Sequence, residues 1–221
     1  MIEAKDVTLT YQDGTKALKG VNISVKPGEL VYITGHSGSG KTSLLKLLIG
    51  MEYPSSGSLT VLGQSIKRGK SRRVRKLRKK IGPVFQEFKL IEGRTALENV
   101  MMGMRFLGIS PRKMRGEAVS ALTKVGLEHK INSKVENLSW GESQRVAIAR
   151  AVARKPKLIL ADEPTGNLDH DNALNILEIL NSFRDSNTAV IITTHATHLI
   201  ENQEGATYIR VNKGEFIIEK S

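Results

Sequence analysis

The sequence predicts an α/β fold: a core built on a parallel sheet, an N-terminal antiparallel β subdomain, and an α-helical subdomain. Three observations predict it. Residues 30–34, 158–161 and 189–193 are short, nearly continuous apolar runs, the pattern of strands buried on both faces. Helical spacing lies between the last two, where Ala173, Leu174, Ile176, Leu177 and Leu180 share a face. Ahead of all of them, residues 7–11 and 21–25 alternate apolar and polar, as half-buried strands do.

Taken in order, the opening strands are punctuated by Asp13-Gly14 and Pro27-Gly28, which read as turns. Residues 58–62 continue this β-rich beginning. The run at 30–34 then enters a glycine-rich loop. From about Ala96 to Ala153 the spacing is helical. Ala118, Leu122, Val125 and Leu127 suit one amphipathic helix, and Val146, Ile148 and Ala149 suit another.

Composition narrows the class. The chain of 221 residues is 39% hydrophobic and 25% charged, ordinary for a soluble globular protein. It shows no apolar run long enough to span a bilayer and no secretion-signal layout at Met1-Ile2-Glu3-Ala4. Cysteine is absent, which excludes disulfides and thiolate metal sites. A cytoplasmic location is expected. The net charge is +12, but ten of the fourteen residues from Lys67 to Lys80 are Lys or Arg, so the rest of the chain carries only +2. The basicity is one local feature. Arg72, Arg73, Lys76, Lys79 and Lys80 fit one face of a helix. Anionic lipid beside a membrane partner, nucleic acid, or plain solvent are all readings of that face. No aromatics interleave the cations, which argues against single-strand stacking.

Gly35-His36-Ser37-Gly38-Ser39-Gly40-Lys41-Thr42 fits G-x-x-x-x-G-K-[ST], follows a strand and opens a helix at Ser43. Its glycines let backbone N–H groups wrap phosphate oxygens, and the helix N-terminus adds positive potential. Lys41 is expected to reach the β- and γ-phosphates, and the Thr42 hydroxyl to ligate Mg²⁺. Residues 158–161 end in Asp162 and Glu163, carboxylates at the end of a core strand where open α/β sheets bind ligands. Adjacent residues on a strand point apart. Asp162 is therefore expected on Mg²⁺, and Glu163 on the attacking water as its base.

Leu138-Ser139-Trp140-Gly141-Glu142-Ser143-Gln144 completes an ordered set of motifs. With it the chain resembles the ATPase domain of ATP-binding-cassette (ABC) proteins over nearly its whole length, the segment resembling L-S-G-G-Q. The resemblance implies a P-loop (RecA-like) core, one ABC ATPase domain over residues 1–221, and a helical lobe at about 87–157. It implies that Tyr11 stacks on adenine and that Gln86 reaches the metal and the membrane partner. It further implies that Asn167, Leu168 and Asp169 cross to a second subunit and that His195 sits near the γ-phosphate. ATP contacts extend to Ser139, Gly141 and Glu142. Read from the residues alone, Ser139 is equally a plain helix N-cap, His195 a satisfied core histidine, and Tyr11 an ordinary strand aromatic.

In this family one domain cannot complete its own site. The resemblance therefore implies a homodimer enclosing ATP and Mg²⁺, driving an integral membrane subunit at the inner face of the cell membrane, with no nucleic-acid partner. Residues 85–91, 95–100 and 161–169 resemble the subgroup of FtsE, LolD and MacB. Three departures stand out. Trp140 replaces the first signature glycine, Ser143 follows Glu142 where the pattern differs, and Ala196 follows His195 where the family carries Asp. An active enzyme, slowed by these changes, is expected.

Overall fold

The computed structural model describes residues 1–69, 71–200, 203 and 205–220, the last in its backbone alone. Lys70 of the basic run lies outside the described residues. The chain forms two compact units, Met1–Arg78 with Arg184–Ser221, and Lys79–Phe183.

The first unit opens with β1 (Ile2–Thr10) and β2 (Lys16–Val25), which pair antiparallel. On its other edge β1 pairs antiparallel with β4 (Ser56–Val61), which pairs with β5 (Gln64–Ser65). Ile2 and Ala4 are buried, and an irregularity at Asp6 (φ 50°) shifts the register so that Val7 and Leu9, the alternating pair read in the sequence, are buried as well. The parallel part centres on β3 (Leu30–Thr34), flanked in parallel by β8 (Ala189–Thr194) and β9 (Ala206–Asn212). Every residue of β3 and β8 is buried, which is what their unbroken apolar runs require. Helix α1 (Lys41–Leu48) follows the glycine-rich loop, and α2 (Ser71–Arg78) carries the basic run.

The C-terminal strands were not anticipated. β9 turns through Lys213 and Gly214, both at positive φ, into antiparallel β10 (Glu215–Lys220). Two left-handed residues between strands make a tight hairpin. The basic face is also shorter than expected. Lys79 and Lys80 lie past the last residue of α2. Val74 and Leu77 are buried, and the Arg78 guanidinium donates to the carbonyls of Ile49 (2.9 Å) and Gly50 (2.7 Å). The chain then turns directly into a buried strand, so only Arg72, Arg73 and Lys76 of the five share the helix.

In the second unit β6 (Ile81–Val84) pairs in parallel with β7 (Leu158–Asp162). The helices are α3 (Ala96–Met104), α4 (Pro111–Lys124), α5 (Trp140–Val152) and α6 (His170–Ser182). Thr95 and Glu98 form a capping box on α3. Ser110 caps α4 ahead of a first-turn proline. The apolar series expected to form one helix spans its end instead. Val125 is the C-cap, Gly126 takes φ 72°, and the Leu127 N–H donates to the Leu122 carbonyl at 2.9 Å. This is a Schellman closure, which tucks Leu127 back against the helix.

Candidate active site

The phosphate-loop residues occupy the carboxyl end of β3. Gly35 has φ 149°, and a Cβ there would lie 2.3 Å from the Val211 carbonyl oxygen and 2.9 Å from Ser39 Oγ. Gly40, at φ 116°, would place a Cβ 2.6 Å from the Ala17 carbonyl oxygen. Only glycine fits at either point. The loop is therefore pressed against β9 and the start of β2. Ser39 N–H donates to the His36 carbonyl at 3.2 Å, and Gly214 N–H donates to the Ser39 carbonyl at 2.9 Å. Lys41 is almost fully buried, and its Nζ donates to the carbonyls of Gly35 (2.6 Å) and His36 (3.1 Å). An ammonium is thus seated inside the loop, beside the exposed turn His36, Ser37 and Gly38. Ser39 Oγ is buried with no hydrogen-bond partner among the described residues. Thr42, in the first turn of α1, is exposed. This loop suits a polyphosphate: a buried cation, an unspent hydroxyl and a helix N-terminus converge on it.

Two further expected residues join it within the same unit. β3 and β8 are parallel with Thr34 opposite Thr194, so His195 leaves its strand at the same end as Gly35. It is exposed there, which sets aside the core-histidine reading. The Ala196 N–H donates to Thr194 Oγ1 at 3.0 Å, a local contact that shapes the turn after β8. Tyr11 follows β1, is half-buried, and shares a 3.0 Å hydrogen bond between its hydroxyl and Ser43 Oγ. A cleft of about 700 Å³ opens beside Tyr11, within the size range of small-ligand pockets.

In the second unit, β6 and β7 run parallel with Val84 opposite Ala161. Gln86 and Asp162 thus leave the same end of a strand pair. Asp162 closes β7, and Glu163 follows at φ 46°, a left-handed conformation rare outside glycine. Glu163 therefore lies outside the strand, in the turn that follows it, and the expectation that alternation on one strand separates the two carboxylates does not apply to it. Among the described residues no group of three His, Asp or Glu is placed to hold a metal. A hydroxyl, an amide and a carboxylate suit Mg²⁺ when phosphate oxygens complete the shell, and Thr42, Gln86 and Asp162 are those types.

Ser139 is the N-cap of α5. Its Oγ accepts from the Glu142 N–H at 3.2 Å, and the Glu142 carboxylate accepts from the Ser139 N–H at 2.8 Å. That hydrogen bond and Lys130 at 3.3 Å hold the Glu142 carboxyl below its usual range. The cap uses a lone pair of the hydroxyl and leaves its proton to donate outward, so the two readings of Ser139 are compatible. Gly141 faces Leu168 and Asn172, which a Cβ there would approach to 3.7 and 3.8 Å. Asn167 takes φ 64°, and Asp169 caps α6 by accepting from the Asn172 N–H at 2.9 Å.

The match to known proteins follows this layout. Residues 18–166 match the family model described as ABC transporter. The chain belongs to the ABC transporter family. Among ABC proteins, it is 38% identical over 221 residues to the cell division ATP-binding protein FtsE of Streptococcus pneumoniae strain D39, covering all of this chain and 96% of that one. It is 43% identical over 203 residues to FtsE of Escherichia coli K12, covering 92% and 91%. Its fold matches the dimeric ATP-binding cassette MJ0796 in a post-hydrolysis state with ADP and Pi, with TM-score 0.87, 36% identity, and 100% and 98% coverage. It also matches cbiO1 of Clostridium perfringens, part of the ABC transporter complex cbiONQ, with TM-score 0.89, 29% identity, and 99% and 87% coverage. The chain is an FtsE-like ABC ATPase, and the mixed α/β cassette expected from its sequence is the fold it has.

Several residues of this ABC cassette carry structure that sequence reasoning missed. Asn99 is fully buried; its Oδ1 accepts from the Ile91 N–H at 2.7 Å, and its Nδ2 donates to the carbonyls of Ile91 and Thr95, each at 3.1 Å. It fixes the loop into α3. Arg150 of α5 donates to the carbonyls of Phe88 and Lys89. Burial and nearby Arg154 push its guanidinium down to about 10, which leaves it charged at neutral pH. Trp140 stands out in the sequence only as a departure from the family pattern. Its contacts with Phe88 and Gly166 have no signal in the sequence.

Proposed function

We propose that the chain is the Mg²⁺-dependent ATPase subunit of a membrane-bound ABC complex, acting as a homodimer. The observation that carries this reading is the phosphate loop, with its pinned glycines and its seated Lys41, in a chain of this family. ATP and water yield ADP and phosphate. The amides of residues 35–43, including Ser43, would hold the triphosphate, and Lys41 would neutralise charge that builds on the β- and γ-phosphates. Tyr11 would carry the adenine. Thr42, Gln86 and Asp162 would hold Mg²⁺, which offsets phosphate charge when bound. Glu163 would orient the attacking water and accept its proton. His195, at the end of β8, would report on the γ-phosphate.

Ser139, Gly141 and Glu142 of a second copy would cover the γ-phosphate, and Asn167, Leu168 and Asp169 would pass between copies. The dimeric ADP-bound relative favours this arrangement. No described helix is long and apolar enough to cross a membrane. Attachment to the inner face would come from an integral membrane subunit, as the transporter-complex relative and the FtsE relatives favour. The basic face of α2 would add attraction to anionic headgroups.

The test is ATP turnover with and without Mg²⁺, on wild type and Glu163→Gln. Wild type should hydrolyse ATP only with Mg²⁺. Glu163→Gln should lose turnover and elute as an ATP-bound dimer in size-exclusion chromatography. An unchanged rate in Glu163→Gln would reject Glu163 as the base.

A further inference from the structure

We infer that Trp140 is a positioning residue for ATP hydrolysis, holding the segment that bears Glu163 and the segment that follows Gln86 against the first turn of α5. The inference deepens the reading above and rests on it for the role of Glu163.

Trp140 is the first residue of α5 and the only tryptophan in the chain. Its indole makes two specific contacts. Nε1–H donates to the Gly166 carbonyl at 3.1 Å. The ring meets Phe88 edge-on, with centroids 4.6 Å apart and an interplanar angle of 64°, a favoured aromatic geometry. Gly166 itself closes the turn after β7, because its N–H donates to the Glu163 carbonyl at 3.2 Å. The Gly166 residue is thus tied on one side to Glu163 and on the other to the indole. On either flank Glu163 and Asn167 hold left-handed conformations. Residues in that region persist only where their surroundings over-determine them, and the indole supplies one of those constraints.

Phe88 lies two residues beyond Gln86. Trp140 holds its ring, and Arg150, further along the same helix, holds its carbonyl. The arginine can pass because Gly103 on α3 has no side chain; a Cβ there would lie 2.8 Å from Arg150 Cγ. Helix α5 therefore grips residues 88–89 at two places, and its first residue alone also grips the Glu163 turn. A glycine at position 140, as the family pattern has it, makes neither indole contact. The side chain that departs from the pattern is built into the site and does not merely crowd it.

The experiment compares wild type, Trp140→Phe and Trp140→Gly as full chains, by steady-state ATPase kinetics and by amide hydrogen exchange without nucleotide. Trp140→Phe keeps a ring against Phe88 and loses the donor to Gly166. Its kcat should fall about two- to ten-fold, the range of one neutral hydrogen bond, with KM for ATP unchanged. Trp140→Gly should fall further. Exchange at residues 163–168 should rise in both, while the centre of α5 stays protected. Wild-type kcat in both variants, or a gain in Trp140→Gly, overturns the inference. So does unchanged exchange at 163–168, or a loss of protection along all of α5, which would assign Trp140 to helix stability alone. If wild type shows no ATPase activity, the proposed function falls, and the exchange pattern still decides whether the indole holds the turn.

Discussion

Replacing Gly35 with alanine tests whether the phosphate loop is pressed against its neighbours as tightly as the structure has it. The new methyl would lie 2.3 Å from the Val211 carbonyl oxygen and 2.9 Å from Ser39 Oγ. Relieving that needs a shift of about 1 Å between the loop and β9. Overpacking of this kind costs about 1–3 kcal/mol, and the unfavourable backbone at φ 149° adds about 1–3 kcal/mol. Taking about 3 kcal/mol, Tm should fall by roughly 6–12 °C for a chain of this size. Gly38→Ala is the internal control. Gly38 also has positive φ, 73°, but a Cβ there meets nothing within 4 Å. It should lose only about 1–2 kcal/mol of backbone preference, or roughly 2–8 °C. The assay is thermal unfolding of both variants beside wild type, followed by ATP titration calorimetry. Gly35→Ala should melt below Gly38→Ala and bind ATP more weakly than wild type. Equal melting temperatures for the two variants would refute the steric argument.

The other consequences are quicker to state. Asn99→Ala leaves the Ile91 N–H and the Ile91 and Thr95 carbonyls short of a buried partner, so it should cost about 1–3 kcal/mol in chemical denaturation, with KM for ATP unaltered; a loss below about 0.5 kcal/mol would count against the clamp. Arg72, Arg73 and Lys76 make no ion pair among the described residues, and each is exposed. If they face anionic lipid at about 1 kcal/mol each, the triple alanine variant should bind phosphatidylglycerol vesicles roughly a hundred-fold more weakly than wild type. Equal sedimentation of wild type with neutral and anionic vesicles would leave that face to solvent.

What the sequence revealed and what it concealed follows from the range of the interactions. The phosphate loop was legible because its parts are adjacent: a buried strand, the glycines and Lys41 are all read within one short stretch. The strand that closes at Asp162 was legible for the same reason, whereas the left-handed turn at Glu163 was not. Leu127 keeps helix-face spacing in the sequence but lies past the end of α4, because Gly126 carries the stop signal for a Schellman closure. The hairpin at Lys213-Gly214 carries a weaker signal, because lysine stands at the first turn position where Asn, Asp or Gly marks a two-residue hairpin. The indole of Trp140 on Gly166, the guanidinium of Arg150 on Phe88 and the amide of Asn99 on Ile91 join residues far apart or in irregular loops. No period or spacing encodes such pairs, so only the folded chain displays them.

The turn at Gly214 has a bearing on how firmly phosphate is gripped. Its N–H binds the Ser39 carbonyl, and its own carbonyl accepts from the Lys19 N–H of β2 at 2.9 Å. One residue of a surface hairpin thus fastens the phosphate loop to a strand of the antiparallel sheet. Fraying of the β9–β10 ribbon at that turn breaks two hydrogen bonds at once, one to the loop and one to β2. The proposed hold on ATP would then depend on a short ribbon distant in sequence from the loop it supports.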